Sequence, residues 1–363
     1  MTIIASLAII FTIIQLLVAL TNLLSRSYLR QAEEISNDLI SVLIPARNEE
    51  NNIGNILRDL TDQDYDNIEI IVFNDQSADD TATIVMAMAE KYRQIRLIDS
   101  DGLPSGWLGK NYACHSLSGH AEGSYLLFLD ADVRISKNLI NNAISFSLKN
   151  NTSLISIFPK QIIKTYGEWI TVPNMNYILV TLLPLILVRK LRFSSLSAAN
   201  GQFMFFSADA YRSLMPHRTF RNHKVEDIAI ARLFKKSGFR IACLLGDNDI
   251  TCRMYHSFAD SVNGFSKNVI AFFGNSFILA VLFWLITTFG FLAVMMVFSK
   301  MVFFLYVIAL LVIRVIVSAA SRQNIFYNLV FMIPLQISLG LFIYKAFINK
   351  HLRKFQWKGR SIE

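Results

Sequence analysis

LLFLDADVRI, residues Leu126–Ile135, decides the fold. Four apolar residues run without helical spacing into Asp130, Ala131 and Asp132. A run of that length suits a strand covered on both faces, as strands of parallel sheets are. Two carboxylates at the carboxyl end of such a strand lie where open α/β sheets take their ligands. Carboxylates this close need a cation beside them, or one must keep a proton. Oxygen donors select a hard divalent ion, Mg2+ or Mn2+, which commonly also holds a substrate diphosphate. Taken alone, Asp-x-Asp is equally an acidic turn after a strand, so its neighbours must decide.

Upstream, LISVLIP (Leu39–Pro45), IEIIVF (Ile68–Phe73) and Ile95–Ile98 read as three further strands. Between them lie a helix from Asn52 to Leu60, an amphipathic helix from Asp80 to Tyr92 with Ile84, Val85, Met88 and Ala89 on one face, and a helix from Tyr112 to Gly119. Strands and helices that alternate through short connections predict an α/β domain, a mostly parallel sheet with flanking helices and right-handed crossovers. The strand ends then gather Ala46-Arg47-Asn48-Glu49, Asp75, and the Asp130/Asp132 pair. Neither G-x-G-x-x-G nor a Walker loop is present, which disfavours dinucleotides and ATP. A carboxylate one residue beyond a strand can accept the imide N–H of uracil, and Asp75 is assigned to that base. Asp79 belongs to the same site or only to a turn that caps the next helix.

The chain has 363 residues, 53% of them hydrophobic, and the apolar ones gather at the two ends. Met1–Leu24, Asn275–Phe298, Met301–Ala320 and Ile325–Tyr344 are each about long enough to cross a hydrocarbon layer of roughly 30 Å. The first lacks a basic leader and exceeds the apolar length of a signal peptide. The expected organisation is a transmembrane helix at 1–24, a catalytic domain at 39–268, membrane helices at 273–348 and a basic tail at 349–363. Arg26 and Arg30 directly follow the first segment and put the catalytic domain in the cytoplasm of a multi-pass cell-membrane protein. Lys345 and the tail's Lys350, Arg353, Lys354, Lys358 and Arg360 also prefer the cytosolic face. Three C-terminal spans would leave the tail outside, so one segment is re-entrant or interfacial. Met301–Ala320 contains Arg314; Ile325–Tyr344 contains Asn328, Pro334 and Gln336. Within the catalytic domain, 169–192 is apolar and then basic, which predicts an interfacial helix with Arg189, Lys190 and Arg192 toward lipid headgroups, or else a buried core helix. The net charge of +8 sits beside membrane segments and points to anionic lipid rather than nucleic acid. Cys114, Cys243 and Cys252 have no paired spacing and receive no role.

Three stretches in one order, SVLIPARNEE, IIVFNDQSADDT and LLFLDADVRI, followed by VEDIAIARLFKKSGFRI, resemble the inverting family 2 glycosyltransferases of GT-A fold. The resemblance covers residues 39–241. It implies that Asp132 holds the metal, that Asp130 lies toward the ribose and the metal, and that the acidic pair Glu226-Asp227 supplies the general base, placed at Asp227. Ala46, Glu49, Asp75, Lys110, Asp130 and Arg253 are the residues it implies for the nucleotide sugar, with UDP favoured over GDP through Asp75. Gly201, Gln202, Phe203 and Glu226 are those it implies for the acceptor. Inverting transfer is one displacement at the anomeric carbon and needs a base for the acceptor proton and a cation on the departing diphosphate. Without the family pattern, Glu226 and Asp227 are simply acids in the first turn of a helix that ends near Gly238, and Lys110 is a solvated lysine.

GWLGKNYA (Gly106–Ala113) and the terminal QWKGR (Gln356–Arg360) are similar to motifs of the membrane-bound carotenoid glycosyltransferases of this family, the diaponeurosporenoate type. RMYHSFADSVNGFSKN (Arg253–Asn268) replaces the Q-x-x-R-W motif of processive synthases, which argues against a polymer-extending enzyme. There Arg253 is the residue implied for the diphosphate. Phe203, Met204, Phe205 and Phe206 suit either a wall for a lipid acceptor or a buried strand. The resemblance thus implies transfer of a hexose from a nucleotide sugar, UDP-glucose first, to a carotenoid or related lipid, with polyprenyl phosphate or a glycerolipid as the other acceptors. A catalytically silent membrane scaffold is the rival from another class.

Overall fold

The computed structural model describes residues 1–32 and 36–352, together with the short strands at 356–357 and 360–361. The other residues of the QWKGR tail, and Arg353 and Lys354 before it, lie outside the described residues.

The four expected strands form β1 (Ile40–Ala46), β2 (Ile68–Asn74), β3 (Ile95–Asp99) and β4 (Tyr125–Leu129). After them come β5 (Val133–Ile135), β6 (Leu154–Phe158), β7 (Lys160–Gln161), β8 (Phe203–Ser207), β9 (Ile241–Leu245) and β10 (Ile250–Cys252). Seven of these build one sheet in the order β3-β2-β1-β4-β8-β6-β9, and β5-β10-β7 form a small second sheet at its rim. β1 to β4 are mutually parallel, as the alternation predicts. β8 departs from it and runs antiparallel between β4 and β6. The reason is connection: β8 does not return through a simple crossover helix but after the long excursion from 162 to 202.

Side chains alternate across the sheet with period two. On one face Leu43, Phe128, Met204 and Phe206 join the helix Gly109–His120. On the other Val42, Ile44, Leu127, Leu129, Phe203 and Phe205 join the helices Ile53–Thr61 and Leu139–Asn150. Each such fully buried phenylalanine or leucine contributes about 1.5–3 kcal/mol. The apolar wall expected at Phe203–Phe206 is therefore strand β8, wholly inside the sheet. Phe203, fully buried opposite Leu129, contacts core and not the cavity, which corrects its placement among acceptor residues.

The first face does not stop at the catalytic domain. Its core runs on through Val172 and Tyr177 to Phe283, Ile313 and Phe342 of the terminal helices. Among the described residues, four helices are long and apolar enough to cross a membrane: Thr2–Ser25, Phe277–Val297, Lys300–Ala320 and Met332–His351. Many of their large apolar side chains face outward, among them Ile3, Leu17, Ile278 and Phe304. The last expected segment begins differently. A short helix, Ile325–Val330, is followed by a separate one, Met332–Leu352. Pro334 explains the break: it lacks an N–H and its ring would strike the carbonyl four residues back, so it is tolerated only in a first turn.

Of the two readings of 169–192, the buried one describes its first part. In the helix Pro173–Leu182 every residue from Pro173 to Thr181 is buried, whereas Leu185–Lys190 carries its basic end outward. Polar bonds fix Pro173–Leu182 among the terminal helices. Gln15 Nε2 donates to Thr181 Oγ1 at 3.1 Å, Asn22 Nδ2 to Val180 O at 2.8 Å, and Asn174 Nδ2 to Leu335 O at 2.9 Å. The sheet is thereby docked on the helices instead of hanging from a tether.

Candidate active site

The site lies at the carboxyl ends of the parallel strands. β1 and β2 end in turns whose Asn48 and Gln76 hold positive φ, 53° and 55°. Non-glycine residues in that region mark backbone held by its surroundings, as at ligand-binding turns. Asp75 N donates to Ala46 O at 2.8 Å, and Arg47 Nη1 donates to Asp75 O at 2.5 Å. Asp75 is almost completely buried, and Arg47 Nη1 stands 3.9 Å from its carboxylate. Glu49 Oε2 accepts from Asn52 Nδ2 at 2.8 Å. Ala46 ends β1, Glu49 lies in the turn after it and Asp75 directly follows β2, all outside the lining of the 340 Å³ cavity at the same rim of the sheet.

Asp130 follows β4 directly, and its N–H donates to Gln202 O at 3.1 Å, tying the acidic turn to the loop before β8. Lys110 Nζ lies 2.6 Å from Asp130 Oδ1 and 2.8 Å from Oδ2, and also donates to Gly201 O at 3.3 Å. Burial alone would lower the Lys110 pKa; Asp130 and then Glu226 outweigh it and raise it, so Lys110 stays an ammonium. Gln202 Nε2 donates to Cys252 Sγ at 2.9 Å and reaches Asp132 Oδ1 at 3.5 Å, orienting the second carboxylate.

Glu226 and Asp227 open the helix Glu226–Lys236. Asp227 Oδ1 accepts from Ile228 N at 2.7 Å and Oδ2 from Gly201 N at 3.1 Å. Both acids line the cavity and are otherwise enclosed. Burial pushes Glu226 up to about 7, against the pull of Lys110, with Asp227 adding to the rise. Burial also raises Asp227, while the N–H groups of Ile228 and Gly201 and the Lys110 charge hold it down. A β-carbon on Gly201 would stand 3.2 Å from Lys110 Nζ, a tight contact, and 3.6 Å from Glu226 Oε1, an ordinary one, so glycine gives Lys110 room beside this backbone.

Asn111 is a residue that sequence reasoning missed, although it stands beside Lys110 in GWLGKNYA. Buried, it donates to Phe220 O, Arg221 O and His223 O at 2.8, 3.3 and 3.0 Å. It clamps the segment that delivers Glu226. Glu168 was also missed. It is fully buried, and Arg253 Nη2 donates to its Oε1 at 2.7 Å. Arg253, expected on the diphosphate, pairs with Glu168 beside the cavity, while its neighbours Met254 and Tyr255 line it. No one-dimensional spacing links positions 168 and 253, so only the fold pairs them.

Around these groups is a cavity of about 340 Å³. Its lining mixes charged and polar groups, among them Lys110, Asp130, Asp132, Glu226, Asp227 and Lys267, with the apolar Phe158, Met175, Phe265 and Phe272. Among the described residues no cluster of three or more His, Cys, Asp or Glu could hold a metal alone. Two carboxylates nonetheless fit a hard divalent ion of the kind that takes its remaining ligands from substrate phosphates and water. Asp132, held by Gln202, and Asp130, shared with Lys110, are the oxygen donors that would hold it.

Residues 41–215 match the family model described as glycosyl transferase family 2. The 4,4'-diaponeurosporenoate glycosyltransferase of Staphylococcus haemolyticus is 27% identical over 253 residues, 67% of this chain and 64% of that relative. Its namesake from Staphylococcus aureus strain USA300 is 26% identical over 246 residues, 63% of this chain and 60% of the relative. The chain thus spans less than two thirds of the length of these relatives. A mannosyltransferase from Pyrobaculum calidifontis, solved with GDP-Man and Mn2+, shares the fold: TM-score 0.58 at 15% identity, over 96% of this chain and 99% of that one. With its GT-A-like sheet, its acidic turn after β4 and the match over 41–215, the chain is similar to the family 2 glycosyltransferases over that part of its length.

Proposed function

We propose that this enzyme transfers a hexose, glucose from UDP-glucose in the first instance, to a carotenoid-type lipid at the cytoplasmic face of a cell membrane that its terminal helices cross. The observation that carries the reading is a single cavity lined by both charged and apolar side chains. The carboxylates and Lys110 suit a sugar diphosphate, and Phe158, Met175, Phe265 and Phe272 suit a terpenoid chain. Met175 of that lining belongs to the helix bound among the terminal helices, so one wall of the cavity is built on the helices read here as membrane spans. The names of the staphylococcal relatives favour a carotenoid acid as acceptor.

In the proposed transfer an acceptor oxygen attacks the anomeric carbon as the bond to the diphosphate oxygen breaks. The electron pair leaves with the nucleoside diphosphate and the configuration inverts. Asp227, held by two backbone N–H groups, takes the proton of an alcohol acceptor. Lys110 keeps Asp130 and the Gly201 carbonyl together between donor and acceptor. A divalent ion on Asp130 and Asp132 would supply charge neutralisation of the diphosphate. A carboxylate acceptor arrives already ionised. For it the pair serves differently: with Glu226 raised to about 7, one carboxyl keeps a proton near neutral pH and can donate it in a hydrogen bond to the acceptor.

Transfer from radiolabelled UDP-glucose into membrane lipid extracts tests the reading, with wild type beside Asp132→Asn, and Mn2+ beside EDTA. Label in a coloured, organic-soluble product, only with wild type and metal, supports it. Label in an acid-labile polar lipid would replace the acceptor with a polyprenyl phosphate. Label only from another nucleotide sugar would replace the donor.

A further inference from the structure

A second cavity, of about 200 Å³, lies at the β9 edge of the sheet and shares no residue with the catalytic one. It is walled by the end of the first helix and the residues after it, by Leu139–Asn150, by Leu185–Lys190 and by β9. Arg26, Arg30, Lys149 and Arg189 line it, and its lining holds no aspartate or glutamate among the described residues. Lys149 has a partner of its own, so the three arginines carry the argument. Arg26 and Arg30 lie on the stretch that leaves the first helix, and Arg189 on the Leu185–Lys190 helix. Arg26 caps the C-terminal end of the first helix, whose dipole attracts a cation there. That dipole does not account for Arg30 or Arg189.

Arg189 is fixed in place: Nη1 donates to Asn150 Oδ1 at 2.7 Å, and its guanidinium lies 5.3 Å over the Phe146 ring. Burial and then the neighbouring Arg30 push its pKa below the ordinary arginine value, the effect of like charges brought together. The chain itself is tied here by Leu245 N donating to Ser27 O at 2.8 Å. Converging guanidinium groups suit the oxygens of a phosphate, which they bind bidentately. The cavity also begins where the apolar helix Thr2–Ser25 ends. Beyond Leu185–Lys190, exposed Leu191 and Phe193 alternate with Lys190 and Arg192, the mix of apolar and basic groups that sits at a lipid surface.

We infer that this cavity binds a phosphate group, and that the phosphate is the headgroup of an anionic phospholipid at the membrane surface. The lipid source rests on the reading of the apolar helices as membrane spans; the phosphate chemistry does not. Occupancy would fasten the first helix, the Leu185–Lys190 helix and the edge of the sheet to the same lipid.

The test uses the full chain, purified in detergent and placed in nanodiscs of phosphatidylcholine alone or with phosphatidylglycerol. Thermal unfolding is followed for wild type, for Arg30→Gln/Arg189→Gln, and for Lys190→Gln/Arg192→Gln, which removes equal charge from the same face outside the cavity. The expected result is a higher Tm with phosphatidylglycerol for wild type and for the second variant, and no shift for the first. Equal shifts in all three, or equal losses in both variants, overturn the site. Arg30 is exposed, so Arg30→Gln alone, with a reduced shift expected, replaces the double variant if that one does not fold. A parallel arm titrates inorganic phosphate and glycerol phosphate in detergent. A shift there that needs the arginines, without one from phosphatidylglycerol, keeps the phosphate site and overturns the lipid source. A chain that stays soluble without detergent and does not enter nanodiscs overturns the membrane reading, and this arm then decides the site alone.

Discussion

Asp227→Asn separates the chemical role of the acidic pair from its structural one. Asp227 accepts from Ile228 N at 2.7 Å and Gly201 N at 3.1 Å, one bond to each oxygen. An amide of the same size has one oxygen. If it stays on Ile228 N, its NH2 faces the Gly201 N–H, and one hydrogen bond to a charged group is lost, about 1.5–3 kcal/mol. Burial raises the Asp227 pKa, however, so the ionised form is disfavoured in the fold and the neutral amide relieves that cost. The net loss of stability is therefore below about 3 kcal/mol, the top of that range, and each kcal/mol lowers Tm by about 2–4 °C for a domain of this size. Loss of a general base costs about 10²–10⁴ in rate, equivalent to about 3–5 kcal/mol of barrier. The assay is initial-rate transfer to an alcohol-bearing carotenoid at saturating donor, with kcat and KM separated, beside thermal unfolding. A kcat within about tenfold of wild type, in a protein that unfolds near the wild-type temperature, would refute the assignment of the base.

The raised pair also predicts opposite pH profiles. With an alcohol acceptor, activity rises with pH through about 7 as the pair ionises; with a carboxylate acceptor it falls over the same range as the donated proton is lost. Because the folded-state pKa of Glu226 is raised, its contribution to stability is present below the ordinary carboxylate range and lost as pH rises through about 7. Glu226→Gln should accordingly unfold at a higher temperature than wild type at pH 8 and show little difference at pH 4. Gly201→Ala puts a carbon 3.2 Å from Lys110 Nζ, so Lys110 must give by a few tenths of an ångström; kcat should fall while Tm barely moves. Asn111→Ala leaves three carbonyls without their shared donor and should cost about 1–3 kcal/mol, with KM for the acceptor rising more than KM for the donor. Glu168→Gln breaks the pair with Arg253; since the Arg253 side chain keeps 26% exposure, the loss in an unfolding titration should sit at or below the low end of about 3–5 kcal/mol.

Strand ends and the acidic turn were legible because they are local. LLFLDADVRI states a buried strand and two carboxylates at its end in ten consecutive residues, and the same holds for Ala46, Asp75 and the helix opened by Glu226-Asp227. Four apolar segments are legible for the same reason: length and composition suffice. The mostly parallel sheet was legible, but not which strand would run the other way: FMFFS carries no sign of its direction, and only its neighbours set the sense in which β8 runs. Phe203 looked like an acceptor wall for the related reason that apolar residues in a strand do not reveal what lies over them.

Tertiary structure alone decided the pairings. Lys110 meets Asp130 across twenty positions, Gly201 meets Asp227 across twenty-six, and Arg253 meets Glu168 across eighty-five. It also decided that the helix Pro173–Leu182 is buried among the terminal helices, which its apolar and then basic pattern left open. Periodicity and composition act over a few residues and fix which elements form and which ends carry charge. Which charges share a dry cavity depends on how the chain returns, and that is set by packing between elements remote in sequence.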